Sequence, residues 1–123
     1  MKEIELLRTY LFQKKETTEG QPFGPEVFVY KVCGKMFALF NWQERPLRIN
    51  LKCDPLLAEI LRQKYEAVLP GYHMNKRHWN TVILDGSIPD DEVQEMIDES
   101  YALVVKGLKK VDRERLQAQS LEW

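Results

Sequence analysis

VFVYKVCGKMFALFNW, residues 27–42, decides the fold. Two runs of β-branched and aromatic residues flank a single glycine. A loop this short between two such runs is a β-hairpin, because antiparallel strands alone can be joined across two residues. Gly34-Lys35 is the expected two-residue loop, with glycine at the first position of a type II′ turn. The next run, PLRINLKC at 46–53, alternates strictly. Leu47, Ile49, Leu51 and Cys53 point one way, and Arg48, Asn50 and Lys52 the other, so a third antiparallel strand buries one face and offers a cationic one to water.

Outward from this sheet the elements are helical. Asp54-Pro55 starts a helix, with the carboxylate placed to cap free amides and proline preset for the first turn. Leu57, Ile60, Leu61 and Tyr65 form its apolar stripe to about residue 66. Residues 79–85, WNTVILD, read as a further strand. A long helix begins near Pro89, with Asp90, Asp91 and Glu92 in its first turn, where the helix dipole favours acids. Val93, Met96, Ile97, Tyr101, Val104 and Leu108 make its core face. Residues 3–14 suit a first helix, and TTEGQPFGPE at 17–26 breaks it. The fold class is α+β, an antiparallel sheet with flanking helices, in one domain over residues 1–110 with a charged tail over 111–123.

Composition narrows the function. The chain has 123 residues, 44% hydrophobic and 30% charged, enough for one core. No apolar run reaches the roughly 18 residues of a membrane span, and the amphipathic start MKEIELLRTYLF is not a signal peptide. Cys33 and Cys53 form neither a CxxC pair nor a disulfide framework, and the expectation is two buried, reduced thiols in a cytoplasmic protein. Net charge is −1, yet residues 31–79 carry nine cations against four acids, and residues 80–123 five against ten. A neutral molecule can therefore present one basic face.

PGYHMNKRHWNTV, residues 70–82, is the chemically dense stretch. His73 and His78 sit five apart with no cysteine near in sequence, which does not make a metal site. No nucleophile motif or glycine-rich phosphate loop is present. Neither catalysis nor a cofactor is expected. What the segment does supply is cations for phosphates and amides for base edges. Trp79 is expected to pack at the sheet edge, holding the loop that presents Lys76 and Arg77.

The blocks PFGPEVFVYKVCGKMFAL, INLKCDP, PGYHMNKRHWNTVILDGSIPDDEV and SYALV resemble the MmcQ/YjbR family of small bacterial proteins across roughly residues 5–108. The resemblance implies a double-wing or frataxin-like architecture and a DNA partner. On this reading Arg48, Lys52, Lys76 and Arg77 contact phosphate, Asn50 and Asn75 read polar groups with His78 beside them, and Lys35 tips a hairpin wing. The chain is then a monomer or weak oligomer with no membrane contact. The alternative is a protein-interaction or small-ligand module, in which His73, His78 and the PFGP loop line a pocket.

Overall fold

The computed structural model describes residues 1–71 and 74–120. Six strands form one antiparallel sheet: β1 (Thr17–Gly20), β2 (Val27–Val32), β3 (Lys35–Asn41), β4 (Leu47–Lys52), β5 (Val68–Pro70) and β6 (Trp79–Leu84), in spatial order β1-β2-β3-β4-β6-β5. The helices are α1 (Ile4–Phe12), α2 (Pro55–Lys64), α3 (Asp90–Lys106) and α4 (Lys110–Ser120). None of the helices described is long and apolar enough to cross a membrane.

Register assigns the two faces. Tyr30 pairs with Ala38, Phe40 with Ile49, and Ile49 with Val82, and all are buried. Leu7 and Leu11 of α1, Ile97 and Val104 of α3 and Leu116 of α4 join them in one apolar cluster. The helices therefore cover this face, and the opposite face, which carries Arg48, Asn50 and Lys52, has none of that cluster's helical residues over it. The alternation of 47–53 predicts this correctly. Asp54 caps α2 as expected, its side chain accepting from the amides of Leu56 and Leu57, with Pro55 in the first turn.

Several expectations need correction. The hairpin loop is Cys33-Gly34 rather than Gly34-Lys35, since Val32 pairs directly with Lys35. Both loop residues have positive φ, 48° at Cys33 and 77° at Gly34. That is the signature of a type I′ turn, whose twist matches the flanking strands. Lys35 thus begins β3, and Cys33 sits half-buried in the turn rather than in the strand. TTEG is an edge strand, β1, because Thr17–Gly20 find partners on β2 that local composition does not announce. The short β5 is likewise unannounced, and it places β6 between two neighbours. Trp79 is buried, but inside the sheet and not at its edge. The charged tail over 111–123 is helical where it is described: α4 runs Lys110–Ser120, with Leu116 buried and Arg115 paired to Glu16. On α2 the apolar stripe is only partly covered: Leu61 and Tyr65 pack against the core, Leu57 is half-buried, and Ile60 is 51% exposed.

One irregularity organises the middle of the sheet. Tyr30 pairs with Ala38 but Lys31 with Met36, so Phe37 is an extra residue in β3. This bulge turns two consecutive residues, Phe37 and Ala38, into the core, where Phe37 meets Tyr101 edge-on. It also ends the β3–β4 ladder at Ala38–Leu51. Beyond that point Ser100, fully buried on α3, takes over. Its hydroxyl accepts from the Lys52 amide at 2.8 Å and donates to the Phe37 carbonyl at 2.6 Å.

Ser100→Ala should therefore strand one buried amide and one carbonyl, at about 1–3 kcal/mol. A thermal melt showing an unchanged midpoint would remove the bridge from its assigned role. The thiols give a second expectation. Burial pushes the Cys53 thiol up to about 11, and burial also raises that of Cys33, with the Asp112 and Glu16 charges adding to it. Both thiols stay protonated at neutral pH, so labelling by a thiol reagent should be slow and accelerate as pH rises. Cys33, half-buried in its turn, should react before Cys53. The reverse order, read by mass spectrometry, would contradict the placement.

Candidate nucleic-acid interface

β4 runs antiparallel to β6, so Arg48 lies opposite Ile83, Asn50 opposite Thr81, and Lys52 opposite Trp79. On the other side Asn50 faces Leu39, which faces Val29. These positions share the uncovered face, and extending the same alternation brings Lys31, paired with Met36 and Thr18, onto it as well. Lys31 is the one further cation that the strand register adds to this face. The alternation of VFVYKV, with Val27, Val29 and Lys31 in step, was the signal for it. None of the strand positions sharing this face is an acid.

The face is not a bare apolar plane. Val29, Trp79 and Thr81 are buried within it. Gly71 makes the burial of Trp79 possible: a Cβ there would come within 2.7 Å of the Trp79 Cβ and 2.9 Å of its carbonyl oxygen. At 9% exposure Trp79 has no free ring face for a base to stack on, which fits the expectation that it is structural.

The segment before β6 is tied to the end of β4. The Cys53 amide donates to the His78 carbonyl at 2.7 Å, and the His78 amide donates to the Asn75 carbonyl at 3.1 Å. Asn75 Oδ1 accepts from the Arg77 amide at 3.0 Å, closing a tight turn. Arg62 of α2 supports it from the helix side, donating to Asn80 Oδ1 at 2.7 Å and to the Lys76 carbonyl. With the backbone so pinned, the side chains of Lys76 and Arg77 are exposed beside Lys52. The hairpin tip lies at the same end of the sheet, because Lys35 and Met36 of β3 precede Ala38, the partner of Leu51. Lys31, Lys52, Lys76 and Arg77 thus gather at one end, and Arg48 stands four residues along β4, about 13 Å away. Lys35 is at the same end but, opposite the buried Val32, belongs to the helix-covered face and not to this one.

Among the described residues none of these six cations has an acidic partner within ion-pair distance, whereas the helix side is laced with pairs: Arg8 with Glu19, Lys64 with Glu92, Arg115 with Glu16. The two asparagines are less free than the sequence implies. Asn50 Oδ1 accepts from the Thr81 hydroxyl at 2.6 Å, so both amide oxygens are engaged within the protein. His78 is half-buried and held through its backbone. His73 lies outside the described residues. The rival pocket does not assemble around His78. The PFGP loop joins β1 to β2 at the Val27–Asn41 end, where Trp42 Nε1 donates to the Pro25 carbonyl at 2.9 Å, and His78 is at the opposite end.

The YjbR family model matches residues 12–103. The YbdF protein of Escherichia coli O157:H7 is 42% identical over 96 residues, which cover 78% of this chain and 79% of YbdF. YjbR of Escherichia coli K12 is 42% identical over 86 residues, covering 70% and 73%. The crystal structure of Deinococcus radiodurans protein DR2400 superposes with a TM-score of 0.88 at 40% identity, across 95% of this chain and 89% of that one. The family model spans the hairpin, the INLKCDP strand and the HMNKRHWNTV segment, and with relatives at 42% identity the chain belongs to the YjbR family.

Proposed function

We propose that this protein binds DNA through the uncovered face of its sheet, by contacts to phosphate, and performs no catalysis there. The observation that carries the reading is the sorting of charge. The cations on and beside that face lack acidic partners among the described residues, although the chain holds one more acid than it has cations. An exposed ion pair contributes little to stability, so leaving these cations unpaired costs the fold almost nothing. It does leave a positive surface that can displace the counterions condensed on a polyanion.

The two asparagines bear on specificity. A bidentate contact to adenine needs both the amide oxygen and the amide nitrogen of one asparagine. Asn50 and Asn75 have each committed the oxygen, to Thr81 and to the Arg77 amide. Each amide keeps its donors and one oxygen lone pair, at an orientation set by the bond already made within the protein. Recognition by this face is therefore dominated by phosphate and shows weak preference for sequence. Such a protein works on DNA generally or borrows specificity from a partner.

The test is a titration against duplex and single-stranded DNA at several salt concentrations. With Arg48, Lys52, Lys76 and Arg77 on phosphates, log affinity should fall linearly with log salt at a slope near −3.6, or roughly −0.9 for each contact. Lys76→Ala combined with Arg77→Ala should flatten the slope by about two units, weaken all sequences alike and leave the melting midpoint in place. Lys109→Ala with Lys110→Ala, on the helix side, is the control and should change little. Absence of binding at about 10 mM salt, where screening is weak, would end the DNA reading. So would a slope that responds to the control pair and not to the loop pair.

A further inference from the structure

On the side of the sheet away from the basic face, α2 and α3 flank a half-open groove of about 220 Å³. Leu57, Ile60 and Leu61 of α2 and Met96 of α3 supply its apolar walls. The lining positions on α2 run from Leu57 to Tyr65, about two helical turns. One end is closed where Tyr65 and Lys64 reach Glu92. Just outside, Leu56 is 69% exposed, and the wall residue Ile60 is itself 51% exposed, so the apolar surface of α2 extends past the Leu61 and Tyr65 contacts with the core and out to solvent. A surface helix ordinarily turns such a stripe inward, and a contiguous exposed stripe marks a place where something docks.

Size and charge select the occupant. The volume is below the ~300–1,000 Å³ of an ordinary small-molecule pocket and its mouth is wide, which suits one or two side chains of a larger partner. The α3 lip carries Glu92, Glu95 and Glu99 against the single cation Lys64. Glu92 already serves Tyr65 and Lys64, while Glu95 and Glu99 have no ion-pair partner among the described residues. They stand one turn apart, where like charges repel. Desolvation and then the Glu95 charge hold the Glu99 carboxyl above its usual value, a cost that a cation placed over the lip would relieve.

We propose that the α2–α3 groove docks a short amphipathic helix of a partner protein, which inserts apolar side chains beside Ile60 and Met96 and lays lysines or arginines along Glu95 and Glu99. Helix-in-groove recognition uses this combination of apolar anchors at helical spacing with complementary flanking charge. DNA is repelled from this side and attracted to the other, so both surfaces can be occupied at once.

A fluorescently labelled Leu/Lys amphipathic peptide serves as probe, with a Leu/Glu peptide of the same pattern as its counterpart. The intact chain should bind the first saturably, at one peptide per chain, and not the second. Ile60→Asp, and separately Glu95→Lys with Glu99→Lys, should each weaken binding by at least about tenfold. Because all three positions are exposed, circular dichroism melts should show these variants folded. Lys76→Ala with Arg77→Ala should bind the peptide as the unaltered chain does. Equal affinity for all variants, or no binding of the Leu/Lys peptide, would overturn the proposal. Sedimentation showing self-association that Ile60→Asp abolishes would also overturn it, since a second copy would then be the occupant.

Discussion

A single buried hydroxyl connects the layers of this molecule. The extra residue in β3 sends Phe37 into the core, and the ladder between β3 and β4 stops there. An unpaired amide at Lys52 and an unpaired carbonyl at Phe37 would each be costly in so dry a place. The Ser100 hydroxyl satisfies both, as acceptor of one bond and donor of the other, from a helix remote in sequence. Three consequences follow from this one exchange. Helix α3 is fixed against the sheet, the β2–β3 hairpin is free to twist beyond the bulge, and the cationic end of β4 is held in a defined position.

That position matters because charge in this protein is divided by layer. Around the helices, opposite charges join elements distant in sequence. Arg8 of α1 holds Glu19 of β1 through two bonds while the Tyr30 hydroxyl donates to the same carboxylate, and Lys14 pairs with Asp98. Such pairs set the orientation of helices more than they add to stability. On the uncovered face of the sheet the rule changes, and cations stand alone among asparagine, threonine and aliphatic side chains. The molecule carries a net charge of only −1 and is bipolar in arrangement, with a basic sheet face and an acidic helix groove back to back. The acidic groove and the cationic sheet face give the domain potentials of opposite sign on its two sides.

Much of this architecture could be read directly from residues 27–106. The hairpin, the alternating strand at 47–53, the Asp54-Pro55 cap and the acidic start of the last long helix each depend on the preferences of a few neighbouring residues. Their periodicity survives in the fold. The cations at 48, 52, 76 and 77 were equally visible, and Lys31 was within reach of the same alternation. Other features were hidden because their signals are weak or misleading locally. TTEG reads as a break until β2 supplies partners, and VLP is too short to declare itself. At Cys33 a non-glycine residue takes φ of 48°, which moves the hairpin loop by one position from where glycine alone would put it.

Local chemistry along the chain thus specified the class of fold, the polar face of β4 and the candidate cations. Assembly specified which of those cations go unpaired, where Trp79 is buried, and that the stripe of α2 is split, with Leu61 and Tyr65 against the core and Ile60 in a groove. The reason is distance along the chain. Alternation and capping act within a turn or a strand, whereas Ser100 meets Phe37 across 63 positions and Lys52 across 48. Asn50 and Asn75 illustrate the same limit on the scale of one atom. Their identity marks them as readers of base edges, but each oxygen already accepts one bond, from the Thr81 hydroxyl or from the Arg77 amide, partners that only the folded chain brings within reach.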